Sequence, residues 1–236
     1  MFDVFSDAAK VAQQLEIIAS EFPFATWETL YSLVLEVVFA YLVGLPLGVL
    51  LVTGERDGVR PLPGWLMSIL NVVINLLRSV PFLILMIIAL PLSKLIVGTK
   101  VGTMATVPPM VIAAFPLVAR MVESSLREVD QGVIEAAQSM GASPWQIVTK
   151  VMLPEALPSL ISGCTISVGT ILGYGAMAGI IGGGGLGKIA INYGYYNFKY
   201  LVMWAAVIGL ILLVQLFQSI GSKLATKCDK RLKGKS

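Results

Sequence analysis

The sequence predicts an all-α membrane protein with five transmembrane helices, and three observations carry that expectation. Hydrophobic residues make up 56% of the 236 residues and charged residues only 13%, too few to cover a water-exposed surface. Several apolar runs approach the about 20 residues that a helix needs to cross a bilayer. Short loops separate these runs except at Asp130 to Pro154, the longest polar interruption in the chain. No room remains for a separate soluble domain.

Residues 1–26 read as an extension. Asp3, Asp7, Glu16 and Glu21 outnumber Lys10, so there is no basic start followed by an apolar core, as a signal peptide requires. Phe5, Ala8, Ala9, Ala12 and Leu15 follow helical spacing and predict an amphipathic helix lying at an interface. The transmembrane domain covers 27–222, and a basic tail follows at 223–236.

The first span is expected at about 28–52, with Gly44, Pro46 and Gly48 predicting a kink. Glu36 lies well inside it. A carboxylate within a span is a functional candidate by default, although one near a span end can snorkel or pair at the interface. After a polar loop at 53–63, residues 65–77 are apolar but carry Asn71 and Asn75, and Arg78-Ser79-Val80-Pro81 breaks the run. This stretch reads as an interfacial helix or the entry to the second span, 80–97; as a separate crossing it would make six spans.

The third span, 103–125, ends in Arg120, Glu123 and Arg127 at helical spacing, which predicts mutual pairing as the helix emerges. The fourth, 157–181, carries Ser159, Gly163 and Ser167 at every fourth position, then Gly169, Gly173, Gly175 and Gly179, a pattern for close helix approach. Thr165, Thr170, Tyr174 and Met177 could line a substrate path on another face. Gly182, Gly183, Gly184, Gly185 and Gly187 formally match a dinucleotide fingerprint, but no strand precedes them and no acidic residue follows at the required distance. They read as a flexible loop at the membrane surface. Tyr193, Tyr195, Tyr196 and Phe198 then suit an aromatic belt, and the fifth span covers 200–220.

Charge orients the chain. Of the 17 basic residues, only Lys10, Lys94, Lys100, Lys188 and Lys199 fall on one side of a five-span topology. The loop at 53–79, the region 120–155 and the tail hold the rest, so the positive-inside rule places these in the cytoplasm and the N-terminus outside. The tail suits anionic lipid rather than nucleic acid. The chain has no histidine, which removes the usual general base and the His-containing metal sites. Cys164 and Cys228 should lie at different depths, without a disulfide between them.

The 130–154 element reads as two short helices around a sharp corner. Asp130 caps the first, which stops at Gly141 in the left-handed conformation. Ser143, Pro144 and Gln146 form a capping box for the second, which Leu153-Pro154 ends. Glu135-Ala136-Ala137, then Gly141, Val151 and Leu153-Pro154, resembles the EAA loop of bacterial ABC importer permeases, with agreement in spacing throughout. Arg78-Ser79-Val80-Pro81-Phe82 and the Gly-rich loop also match features of that family. Val97-Gly98-Thr99, Ala119 to Glu123, Leu153 to Pro158, Gly173 to Met177 and Tyr193-Gly194-Tyr195 resemble its methionine-importing branch. The resemblance covers about residues 27–220.

The resemblance implies a type I ABC importer permease fold with a cytoplasmic EAA coupling-helix pair, in the cell inner membrane. Two copies would form a homodimer around the translocation path, each docking its 130–154 element in a cleft of a cytoplasmic ABC ATPase. Glu135, Ala136, Ala137, Gly141, Leu153 and Pro154 match the motif and become the coupling residues. An extracytoplasmic binding protein would deliver L-methionine, and its D-form or derivatives, to the Gly-rich face. Met177 becomes a candidate constriction, with Tyr174 and Thr170 beside it. No phosphate loop of the Walker type exists here, so ATP and Mg would be bound by the partner ATPase; this chain itself needs no cofactor or metal and is not an enzyme. Two other readings stay open. One is a permease of this type for another small amino acid, dipeptide or osmolyte. The other is an ion-coupled secondary transporter, which requires a central ionisable residue and an inverted repeat. Only Glu36 meets the first requirement, and no repeat is visible.

Overall fold

The computed structural model describes residues 8–229, and every regular element among them is helical. Asp3, Phe5, Asp7 and the tail from Lys230 onward lie outside the described residues. In order the helices are α1 (Ala8–Thr53), α2 (Gly64–Ser79), α3 (Phe82–Val97), α4 (Thr103–Arg127), α5 (Gln131–Ser139), α6 (Pro144–Ile147), α7 (Leu153–Glu155), α8 (Leu157–Ala178), α9 (Gly185–Ile189) and α10 (Tyr200–Cys228). α1, α4, α8 and α10 are each long and apolar enough to cross a bilayer, and α2 with α3 qualifies as one broken span. Four crossings result, or five where α2 and α3, bent by 109° from one another, count as one. At 16 residues each, α2 and α3 rise only about 24 Å against an apolar thickness of about 30 Å, so α2 does not supply a sixth span and the stretch expected as the second span, 80–97, does not cross by itself. Val80 is extended (φ −74°, ψ 129°), as the residue before Pro81 must be, and this breaks the pair.

The expected division between an interfacial extension and a first span is absent. α1 is one helix of 46 residues, continuous through Pro23 and through Gly44, Pro46 and Gly48. The predicted stripe, Ala8, Ala9, Ala12 and Leu15, is exposed. The packed side instead carries Ile18, Phe22 and Ala25, which join Leu186, Ile189, Val202 and Ala206 in an apolar cluster. Gln14 explains the shift in register. It is buried, and its side-chain oxygen accepts the Leu201 N–H at 3.1 Å, one of the N–H groups left without an intrahelical partner at the start of α10.

The chain divides into two compact units. The first comprises Met1–Val38, Pro81–Ile112 and Val168–Leu216; the second comprises Phe39–Val80, Ala113–Ser167 and Phe217–Ser236. Among the described residues, Lys10, Lys94, Lys100, Lys188 and Lys199 belong to the first unit, and every other lysine and arginine to the second.

Within the second unit, α1 and α4 cross closely. A Cβ on Gly44 would meet the Val118 side chain at 2.7 Å, and one on Gly48 would meet the Ala119 carbonyl at 2.6 Å. These glycines therefore serve the close approach of α4. Arg120 donates to Asn71 (2.9 Å) and Asn75 (2.8 Å) of α2 and to Glu123 (2.6 Å). Arg127 bridges Glu123 and Glu55, the latter at 2.6 Å. The expected pairing within α4 is present, and it extends to α2 and the loop before it. The small stripe of α8 packs on α4: Ser159 donates to Ser125 at 3.1 Å, and Gly163 faces Met121. Both cysteines are free.

Candidate functional site

Two places gather the residues singled out by sequence. The first is the corner formed by α5 and α6. Asp130 Oδ1 accepts the Gly132 N–H at 2.7 Å and caps α5. At the other end Gly141 is left-handed (φ 77°). The Ala142 N–H bonds the Ala137 carbonyl at 3.1 Å and the Gly141 N–H bonds that of Gln138 at 2.9 Å, the paired bonds of a Schellman ending. The Ser143–Gln146 capping box then starts α6, with Pro144 in its first turn.

This corner has an inner and an outer face. Ile134, Ile147, Val148 and Met152 are buried and anchor it. Glu135, Ala136 and Gly141 are exposed, and Ala137 is half-buried. Met140 and Trp145 flank the turn and are 85% and 75% exposed. They were not among the residues expected from the motif. Large apolar side chains inside a polar loop were the available signal.

Leu153 and Pro154 lie away from this corner, on the returning segment. They do not end the second helix as expected. α6 passes through a π-helical turn, Val148–Met152, into α7, and the chain bends only at Ala156 before α8. The wide turn, closed by the Leu153 N–H to the Val148 carbonyl, accommodates a residue that cannot donate and whose ring crowds the carbonyl four residues earlier.

The second place lies in the first unit, around the end of α8. The Tyr174 ring stacks on Phe82 at 4.2 Å between centroids and 8° between planes. Thr170 and Met177 share that helical face at spacings of four and three, and Met177 is 47% exposed. A Cβ on Gly173 or Gly175 would meet nothing within 4 Å, so packing within the chain does not require glycine there. Phe82 was legible only as part of the Arg78–Phe82 stretch.

The Gly-rich stretch, expected as a flexible loop at the membrane surface, is a held and partly buried turn. Gly183, Gly185 and Gly187 are buried. A short 3₁₀ turn, Gly179–Ile181, leads to Gly182 (φ 90°) and then to Gly185 (φ 77°), which opens α9. Glu28 holds the turn: its carboxylate accepts the Gly185 N–H at 2.9 Å and the Thr103 hydroxyl at 2.6 Å. Thr29 Oγ1 accepts the Leu186 N–H at 2.9 Å. Glycine is required by contact, since a Cβ on Gly187 would lie 2.4 Å from the Ala176 carbonyl and one on Gly179 2.6 Å from the Lys188 nitrogen. Tyr193, expected in an aromatic belt, donates its hydroxyl to Glu21, and this bond pushes its pKa up. Tyr195, Tyr196 and Phe198 are exposed.

Glu36 neither snorkels nor pairs. It is 2% exposed, and among the described residues no hydrogen bond or ion pair reaches its carboxylate.

Residues 44–228 match the family described as the inner membrane component of binding-protein-dependent transport systems. A probable D-methionine transport system permease of Vibrio cholerae is 49% identical over 208 residues, 88% of this chain and 92% of the relative. The methionine import system permease of Bacillus subtilis is 45% identical over 164 residues, 70% of this chain and 74% of that one. A solved structure of the MetNI methionine ABC transporter in an inward-facing conformation matches with a TM-score of 0.86 at 39% identity, over 89% of this chain and 96% of that one. An amino acid ABC transporter matches at 0.71 with 16% identity, over 94% of this chain and 98% of that one, a likeness of fold alone.

Proposed function

This chain belongs to the inner membrane components of binding-protein-dependent transport systems, and we propose that it is the subunit through which such an ABC importer carries methionine across the membrane. The substrate assignment is supported by relatives named for methionine transport, which this chain matches over most of its length.

The observation that carries the mechanism is the α5–α6 corner, whose exposed outer face stands on a buried anchor. Small residues at Ala136 and Ala137 let a helix enter a groove, and Glu135 is available to a basic partner. Trp145 and Met140 supply the large apolar contacts that carry binding energy. The partner is a cytoplasmic ABC ATPase, one per copy of this chain in a homodimer. ATP and Mg are held by that partner. The capping bonds and the buried Ile134, Ile147 and Met152 make the corner stiff, so movement of the ATPase passes to the attached helices as a body. Leu153 and Pro154 act in the returning segment and not in the docking face.

In the first unit, the Thr170–Tyr174–Met177 face lines the path, with Met177 as an apolar constriction. The Gly-rich turn, held by Glu28, forms the surface presented to an extracytoplasmic binding protein. The lysine and arginine distribution supports an outside N-terminus and a cytoplasmic corner and tail.

The test is reconstitution of this chain in vesicles with its ATPase and binding protein. ATP-dependent methionine uptake is expected, unaffected by collapse of ion gradients and competed by methionine derivatives more strongly than by other small amino acids. Uptake that proceeds without ATP and stops with an ion gradient would overturn this reading.

A further inference from the structure

We propose that Glu36 and the cavity it lines form a binding site for a single monovalent cation, a proton or a sodium ion, that nothing in the transport mechanism above requires. The cavity measures about 20 Å³, and its walls include Ser32, Glu36, Thr103 and Thr106. One water-sized ligand needs about 10–15 Å³, so there is room for one.

The chemistry follows from which hydrogens are already committed. The Ser32 hydroxyl donates to the Thr29 carbonyl, the Thr106 hydroxyl to the Thr103 carbonyl at 2.7 Å, and the Thr103 hydroxyl to Glu28. What these side chains present to the cavity is therefore lone pairs. Glu36 adds a carboxylate that is 2% exposed and meets no donor among the described residues. A cavity lined by acceptors selects a ligand that is positive or can donate.

The surroundings supply no alternative neutralisation. Glu36 is the one titratable residue among those lining the cavity; the walls from α8 and α10 are apolar or glycine, including Ile171, Leu172 and Leu210. Glu28, elsewhere on α1, does not line the cavity and already accepts from Thr103 and Gly185. Among the described residues no lysine or arginine lines the site. A bare carboxylate in an apolar span is costly, and a bound cation removes that cost. Oxygen ligands from a carboxylate and hydroxyls suit a hard ion such as sodium, and equally a proton shared with a bridging water.

A ligand bound only by the folded chain stabilises it by mass action. The full chain, purified in detergent with the subunits it brings, should unfold at a temperature that depends on this cation. In sodium-free choline buffer, raising the pH from about 5 to about 9 should lower the midpoint by at least about 4 °C. Glu36→Gln, nearly isosteric, should flatten that profile, whereas Glu16→Gln at an exposed position should not; Ser32→Ala should weaken the dependence. Recovery of the midpoint by sodium but not by potassium at the high pH identifies the ion as the ligand. No recovery, together with an infrared carbonyl band of a protonated acid that disappears in Glu36→Gln, identifies the proton. Identical profiles for wild type and Glu36→Gln in both buffers, with no such band, would overturn the proposal whatever the chain transports.

Discussion

The Glu28 carboxylate accepts the backbone N–H of Gly185 at 2.9 Å, across 157 residues of sequence. Its other oxygen takes the Thr103 hydroxyl at 2.6 Å. One side chain of α1 thus ties the Gly-rich turn to the start of α4 and satisfies a donor at the head of α9 that no helical carbonyl reaches.

Glu28→Ala should release this tie. Hydrogen bonds to a charged acceptor contribute about 1.5–3 kcal/mol, so a loss of that order in thermal stability is expected. Hydrogen exchange should accelerate at Gly182 to Leu186 while the α5–α6 corner is unchanged.

Two glycine substitutions should differ in sign. At Gly187 a Cβ would lie 2.4 Å from the Ala176 carbonyl, backbone that cannot swing aside, and Gly187→Ala should cost about 1–3 kcal/mol. At Gly173 nothing lies within 4 Å of the added atom, so Gly173→Ala should stabilise the helix by about 0.5–1 kcal/mol. Paired thermal unfolding of the two variants checks this. Slowed methionine uptake in the stabilised Gly173→Ala chain would place Gly173 on the transport path.

At the docking corner, Ala136→Trp and Trp145→Ser alter exposed positions and should leave the unfolding temperature of the isolated chain unchanged. Each is expected to weaken capture of the ATPase by at least about tenfold, a change of about 1.4 kcal/mol. Gly141→Val differs because φ is 77° there; strain should lower stability by about 1–2 kcal/mol as well. Co-purification of the ATPase with each variant is the measurement.

Arg120 holds α2 to α4 through Asn71 and Asn75 at 2.9 and 2.8 Å. Lysine keeps the charge but loses the planar fork, so Arg120→Lys should cost about 1–2 kcal/mol. Asn71→Ala in the Arg120→Lys background should then add less than it does alone, and a double-mutant cycle reads the difference.

Much of the corner was legible in the sequence because its bonds are local. Asp130 to Gly132, Ala142 to Ala137 and Gln146 to Ser143 each span five residues or fewer, so residue type and spacing suffice to place them. Pro154 departs from its local signal. A proline predicts a helix end, but a π-helical turn upstream let the chain continue to Ala156. The N-terminal stripe failed for a related reason: Ala8, Ala9, Ala12 and Leu15 satisfy the helical period, yet Gln14 and Phe22 found partners on α10 and turned the other side inward.

The sequence by itself determined an all-helical chain of several membrane-crossing helices, the lysine and arginine asymmetry, and a capped polar corner between α4 and α8. These depend on hydropathy, charge and hydrogen bonds between near neighbours. Only the tertiary structure decided that Glu28 holds the Gly-rich turn, that Phe82 stacks on Tyr174, that Gly44 and Gly48 admit α4, and that Glu36 is buried without a partner among the described residues. Each of these joins residues tens of positions or more apart, or isolates one from all of them. Such relations depend on how the apolar faces of the helices pack, and the period of a single helix carries no information about the neighbour that its face will meet.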